Sequence, residues 1–259
     1  MEKLKLGVFS FTSCYGCQLQ ILNLEEKILP LLNFLDIQYW RLVQETPSNP
    51  ENIDIAIIEG SITNNEELAE VKKIREHAKI VMTIGACAHL GGVQGLRNIM
   101  DDHEVHVAQY GDNLKGIRSI PVQSVPDVIK VDAIVRGCPI NKDEFAKTVF
   151  SLLAGRMPRE WRSPVCNECK IAQNECFFER GLETSYCMGP ITEAGCNARC
   201  PSNGVPCDGC RGWTSDPHVK QEYSELKNRG LNDPEILRLL RRYSGGKKEQ
   251  TPVIESVVK

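Results

Sequence analysis

Hydrophobic residues gather in short, nearly unbroken runs along the first 155 positions, separated by stretches with helical spacing. The runs are Lys5–Thr12, Ile37–Leu42, Ile53–Glu59 (IDIAIIE), Lys79–Gly85 (KIVMTIG) and Val131–Arg136 (VDAIVR). Between them, Gln18–Leu35 carries Leu19, Leu22, Ile28, Leu31, Leu32 and Leu35, and Asn65–His77 puts Leu68, Val71 and Ile74 on one face. Lys142–Leu153 closes the series as another helix. Strands that are apolar throughout, alternating with helices, predict a parallel sheet covered on both faces.

The pattern therefore predicts a flavodoxin-like α/β domain over residues 1–155. It then fades. GRMPREWRSP reads as a linker, and residues 156–213 hold eight cysteines and few aliphatics. Such a segment buries too little apolar surface to fold alone, so bound metal must supply folding energy. Residues 214–259 form a tail with two helix candidates. The second is expected to start with Asp233 as N-cap and Pro234 at the first helical position. Leu237, Leu239, Leu240 and Tyr243 lie there beside Arg238, Arg241 and Arg242, to dock a partner, fold back, or form a solvated basic face. The closing SGGKKEQTPVIESVVK reads as an extended strap.

Composition narrows the class. A formal charge of −3 provides no field to collect nucleic acid or anionic lipid. No run approaches the roughly 18 apolar residues of a membrane span, and the start carries neither a twin arginine nor a cleavage site. A cytoplasmic protein without nucleic-acid or membrane partners is expected. In a reducing compartment many cysteines mean metal ligands before disulfides.

The chain has 12 cysteines, and four thiolates are the ligand set of an iron–sulfur cluster or a structural zinc. Cys14 and Cys17 follow the first strand, Cys87 the fourth and Cys138 the fifth, where open α/β sheets place their ligands. Gly16, Gly85 and Gly137 beside them suit a close backbone approach. Unrelated buried thiols would also fit, and so would a thioredoxin-type CxxC, which leaves Cys87 and Cys138 without a role. The later eight are Cys166, Cys169, Cys176, Cys187, Cys196, Cys200, Cys207 and Cys210, spaced C-x2-C-x6-C-x10-C-x8-C-x3-C-x6-C-x2-C. Spacing alone leaves two zinc ribbons and two clusters both open. The bacterial ferredoxin run is absent, though Cys138-Pro139 and Cys200-Pro201 echo its last step.

SCYGCQ, IIEGSI, GACAHLGG and GCP, each after a strand and in this order, resemble the small subunit of nickel–iron hydrogenases. The resemblance covers the whole first domain. It implies that Cys14, Cys17, Cys87 and Cys138 hold a proximal [4Fe–4S] cluster facing the [NiFe] site of a large subunit. In the second domain Cys166 stands where periplasmic members have a histidine, and Cys200 offers a fourth medial ligand. The likeness thus runs to the cytosolic group-3 branch, and within it to the delta subunits of archaeal NADP-linked sulfhydrogenases (the hydrogenase I type). It implies three [4Fe–4S] clusters, the medial on Cys196, Cys200, Cys207 and Cys210 and the distal on Cys166, Cys169, Cys176 and Cys187. Electron transfer toward iron–sulfur and flavin/NAD(P)-binding subunits follows from it. A deazaflavin- or heterodisulfide-linked methanogen subunit is the neighbouring reading, and a zinc-stabilised binding protein the one from another class.

Other residues take a place beside this scheme. Glu59 is a candidate proton relay or partner contact, or else a cap for the turn after its strand. His89 has a cluster sulfur, the large subunit, or a satisfied structural role open to it. His103 and His106 read as surface in an acidic loop. Phe177, Phe178 and Trp161 are expected to shield the second domain's thiols.

Overall fold

The structure, a computed structural model, describes residues 3–45, 51–111, 118–158, 162–180, 185–245, 247 and 249–258. Its first half alternates strand and helix: β1 (Leu4–Ser10), α1 (Gly16–Leu22), α2 (Ile28–Leu32), β2 (Leu35–Trp40), β3 (Ile53–Glu59), α3 (Asn65–His77), β4 (Ala78–Ile84), α4 (Gly85–Leu90), α5 (Asp102–Tyr110), β5 (Ala133–Val135) and α6 (Lys142–Leu153). All neighbouring strands pair parallel, in the order β2-β1-β3-β4-β5. This is the flavodoxin-like arrangement. Side chains of β3 alternate between two cores: Ile55 and Ile57 pack with Ile21, Phe145, Val149 and Leu152, while Ala56 and Ile58 pack with Val71 and Ile74. Both faces of the sheet are thereby covered, which is why the middle of β3, Ile55–Ile58, is apolar and buried throughout.

The expected helix over Gln18–Leu35 is instead broken into α1, a 3-10 turn at Glu25–Lys27, and α2, and its last residue opens β2. Glu25 sits in the left-handed region (φ 53°), and Pro30 removes a backbone donor from the stretch. GACAHL, unassigned from its pattern, forms α4. His103 and His106 lie on a helix, α5, and not in a loop; the helix buries no residue, so it leaves no apolar signature. His106 remains tied locally, to Asp102 at 3.5 Å.

Beyond the linker come α7 (Val165–Ile171), the short α8 (Arg199–Ser202), α9 (Val219–Asn228), α10 (Asp233–Arg241) and α11 (Thr251–Val258). Trp161 lies outside the described residues. Helix α10 is capped by Asn232, not Asp233: the Asn232 side chain accepts from Glu235 N while Glu235 accepts from Asn232 N, a complete capping box. The later half of the strap expected at the end is α11, and its Ile254 finds a place in a core with Leu226, Ile236 and Leu240. That core also takes Met188 and Ile191 from the cysteine-rich segment. The tail thus folds back and supplies apolar surface the cysteine-rich segment lacks.

One buried guanidinium joins the two halves. Arg211 is 1% exposed, and it grips Glu144 of α6 with two hydrogen bonds of 2.6 and 2.8 Å. Its remaining donors reach the carbonyls of Arg136, Glu193 and Ala194 at 3.0, 3.0 and 2.9 Å. Arg136 reinforces the joint by pairing with Glu193 at 3.1 Å. Removing one partner of a buried, hydrogen-bonded pair strands the other. Arg211→Leu is therefore expected to lower unfolding free energy by about 3–5 kcal/mol, measured by anaerobic denaturant titration, with part of the loss recovered in the Arg211→Leu/Glu144→Leu double variant. A loss below about 1 kcal/mol, the range of an exposed pair, would remove Arg211 from this role.

Candidate metal centres

Three loops at the carboxyl edge of the sheet meet around the first four cysteines. Cys17 is the second residue of α1 and is buried, while Cys14 precedes the helix through Tyr15, which is left-handed at φ 62°. Cys87 is the third residue of α4. The backbone N–H of Ala86 donates to the carbonyl of Gly137 at 2.8 Å, tying the Cys87 loop to the Cys138 loop. Gly85 (φ +82°) rests directly on the Cys17 sulfur, where a Cβ would collide, and that Cβ would lie 3.6 Å from the Gly137 carbonyl. A side chain at position 85 would displace the thiol. Each thiol with a shifted pKa feels others of the set: Cys17 feels Cys138 and Cys87, and both Cys87 and Cys138 feel Cys14.

Glu59, 1% exposed, lies beneath this cluster of thiols. It accepts from the Cys17 backbone N–H at 3.0 Å and from Gln18 Nε2 at 2.8 Å. Gln18 in turn donates to Ser10 at 2.7 Å and accepts from the Trp40 indole at 2.7 Å. The carboxylate thus caps α1, across the sheet edge, and does not cap the turn after its own strand. His89 faces Arg136 Nη1 at 2.5 Å. Burial, then the charges of Arg136, Lys247 and Arg211, hold it well below the usual histidine range, as a neutral imidazole.

The later eight fall into two neighbourhoods. Cys166 and Cys169 lie on α7, and Cys166 feels Cys187, Cys169 and Cys176. Gly189 marks the approach: a Cβ there would lie 3.3 Å from the Cys187 sulfur and 3.4 Å from that of Cys166. In the other neighbourhood Cys210 feels Cys196 and Cys200, and Cys207 feels Cys187 before Cys210, so it stands between the two groups. Glu168 of α7 holds the Cys196 loop by accepting from Gly195 N and Ala198 N at 2.9 and 3.2 Å. The backbone of Cys138 hydrogen-bonds the Cys210 thiol, which brings this neighbourhood against the first four. Phe177 is buried under Arg180, 3.9 Å from its ring centre, and Phe178 packs with the tail helices. Among the described residues no three such side chains close on a point as around a single ion.

Arg211 and Glu144, which fix Cys210, carried no sequence signal beyond Arg211 following a cysteine. Their pairing spans 67 positions and exists only once the fold has formed.

An open parallel sheet with thiols gathered at its strand ends, followed by a second thiol-rich module, is the architecture of an oxidoreductase small subunit. The chain belongs to the family described as NADH ubiquinone oxidoreductase, 20 Kd subunit, which it matches over residues 14–152. It is 35% identical to the Sulfhydrogenase 2 subunit delta of Pyrococcus furiosus, across 93% of this chain and 99% of the relative. It is 34% identical to a subunit of the F420-non-reducing hydrogenase vhu of Methanocaldococcus jannaschii, across 81% and 82%. Its fold matches a chain from an NAD+-reducing [NiFe]-hydrogenase in the H2-reduced state, with a TM-score of 0.55 at 23% identity, across 61% of this chain and 95% of that one. Among the described residues, no helix is long and apolar enough to cross a membrane.

Burial, the first cause in every case, pushes the thiols toward their neutral form: Cys17 and Cys207 strongly, Cys138 and Cys166 to about 12, Cys210 to about 11. Cys138 reaches solvent with part of its surface, yet the partial burial of its sulfur still dominates. A raised thiol pKa stabilises the metal-free fold below the ordinary value of 9.0, and that stabilisation is lost as pH climbs toward about 12. Metal must displace these protons. Uptake of ferrous iron and sulfide by the metal-free chain should therefore acidify a weakly buffered solution and tighten as pH rises through neutrality. Uptake that is flat with pH would contradict thiolate ligation.

Proposed function

We propose that this chain is the electron-transfer small subunit of a cytoplasmic group-3 [NiFe]-hydrogenase. In this reading residues 1–155 bind a proximal [4Fe–4S] cluster through Cys14, Cys17, Cys87 and Cys138. Residues 156–213 bind a medial cluster through Cys196, Cys200, Cys207 and Cys210 and a distal one through Cys166, Cys169, Cys176 and Cys187, and residues 214–259 form the tail. The observation that carries it is the convergence of Cys14, Cys17, Cys87 and Cys138 from three separate loops, with Gly85 cleared to the backbone against the Cys17 sulfur.

The donor set fits the group. Every candidate ligand is a thiol, and soft thiolates suit iron–sulfur clusters. When bound, such clusters supply one-electron relay between a large subunit and flavin/NAD(P)-binding subunits. The chain's own residues do the positioning: Glu59 holds the Cys14–Cys17 turn, Glu168 the Cys196 loop, and Arg211 the spacing between Cys138 and Cys210. The relatives at 35% and 34% identity stand for an archaeal sulfhydrogenase and a methanogen hydrogenase, so the co-purifying partner decides between the NADP-linked reading and the methanogen one.

Anaerobically purified protein should be brown and carry about twelve iron and as much acid-labile sulfide per chain. Cys166→Ser should disturb one cluster's signal and leave the other two. A nicotinamide-binding flavoprotein partner supports the NADP-linked form. Colourless protein with stoichiometric zinc would end the hydrogenase reading.

A further inference from the structure

The chain turns sharply after α4, and the turn brings a glutamine amide to a candidate ligand. Gly91 and Gly92 both take positive φ, 88° and 67°, and Val93–Ile99 then winds as a 3-10 helix. A Cβ at Gly92 would lie 2.8 Å from the Cys87 sulfur and 2.8 Å from Gln94 Oε1. The missing side chain leaves sulfur and amide open to each other. Cys87 Sγ and Gln94 Oε1 stand 3.6 Å apart, with the thiol donating.

The other end of the amide is held at the sheet edge. Gln94 Nε2 donates to the Thr12 carbonyl at 2.8 Å and to Ser61 Oγ at 2.9 Å. Thr12 and Ser61 lie just beyond β1 and β3, and their backbones pair, Ser61 N donating to the Thr12 carbonyl at 3.0 Å. The Thr12 carbonyl thus has a second donor and does not depend on Gln94. Ser61 is 0% exposed, and its hydroxyl can donate as well as accept. An amide oxygen turned into the place of Nε2 would find that hydroxyl as a donor.

Ligation changes what the Cys87 sulfur needs. A thiol donates, and an amide oxygen suits it; a thiolate on iron has no proton and only accepts. The oxygen at 3.6 Å would then face a negative sulfur, with the N–H donors of the same amide on its far side. We propose that Gln94 is a positioning residue whose amide turns over when Cys87 binds the first cluster, so that Nε2 donates to the Cys87 sulfur and Oε1 accepts from Ser61 Oγ. The inference rests on the cluster reading above. A hydrogen bond to a ligand sulfur stabilises the reduced, more negative cluster and raises its reduction potential.

The test uses the assembled protein with nitrogen-15 in its glutamine side chains, reduced, with nitrogen couplings to each cluster read by pulsed EPR. A coupling to the cluster on Cys87 is expected, and it should vanish in Gln94→Leu. Redox titration of that variant, with iron counted, should show this cluster's potential lowered and the other two unmoved. Gln94→Glu, which keeps the length and removes the donor, should lower it as well. The direction decides, because an oxygen left facing the sulfur would make Gln94→Leu raise the potential instead. A raised or unchanged potential at about twelve iron per chain would overturn the turned amide and leave the cluster reading standing. Where Gln94→Leu fails to assemble, the unaltered protein decides alone, and a missing nitrogen coupling there overturns the proposal. An unaltered protein without iron would overturn both.

Discussion

The buried guanidinium of Arg211 is the contact on which the arrangement of the two halves depends. A charge at 1% exposure is tolerated only when its donors are met, because its desolvation is otherwise uncompensated. Its partners come from α6, from the end of β5 and from the cysteine-rich segment at once. Only one docking of the second half on the first satisfies them together. Arg211 directly follows Cys210, and the carbonyl it binds is that of Arg136, two residues before Cys138. The same contact that joins the halves therefore sets the distance between two candidate centres.

The thiols make the opposite demand. Burial favours their neutral form, and the same burial is what a low-dielectric redox site needs. The α/β domain offsets that cost with a large core on both faces of its sheet. The second half has a smaller core. Its cysteine-rich segment contributes Met188 and Ile191 to a cluster built mainly by α9, α10 and α11. The tail is thus part of how the later eight thiols are held, and the cross-chain contacts at Gly245 and Lys247 extend that support to the first domain.

Much of this was legible in sequence where the signal is local. The bounds of β3, α3 and α6 follow from their apolar runs, whereas Asn64 and Asn141, which cap the two helices, are seen only in the structure. The strand-end position of Cys14, Cys17, Cys87 and Cys138 was legible for the same reason, since a strand end can be read from its run. Other features were not. Helix α5 buries nothing and so shows no period. The sequence of α11, rich in β-branched residues, reads as extended, and it is helical because Ile254 is drawn into a core made by distant helices. Glu59 capping α1 and His89 facing Arg136 are juxtapositions across the sheet edge. No pattern within either segment specifies them.

Charge distinguishes the candidate centres further. The carboxylate of Glu59 lies against the first four thiols and raises the pKa of Cys17, Cys87 and Cys138 through its field. Arg211 acts with the opposite sign on Cys196 and Cys210. A reduced cluster carries one more negative charge than its oxidised form, so a nearby carboxylate disfavours reduction and a nearby guanidinium favours it. Both groups are already required for other reasons, Glu59 to hold the Cys14–Cys17 turn and Arg211 to join the halves. In the proposed cluster reading, Glu59 would disfavour reduction at the first centre, while the positive charge of Arg211 beside the second is met by the Glu144 carboxylate.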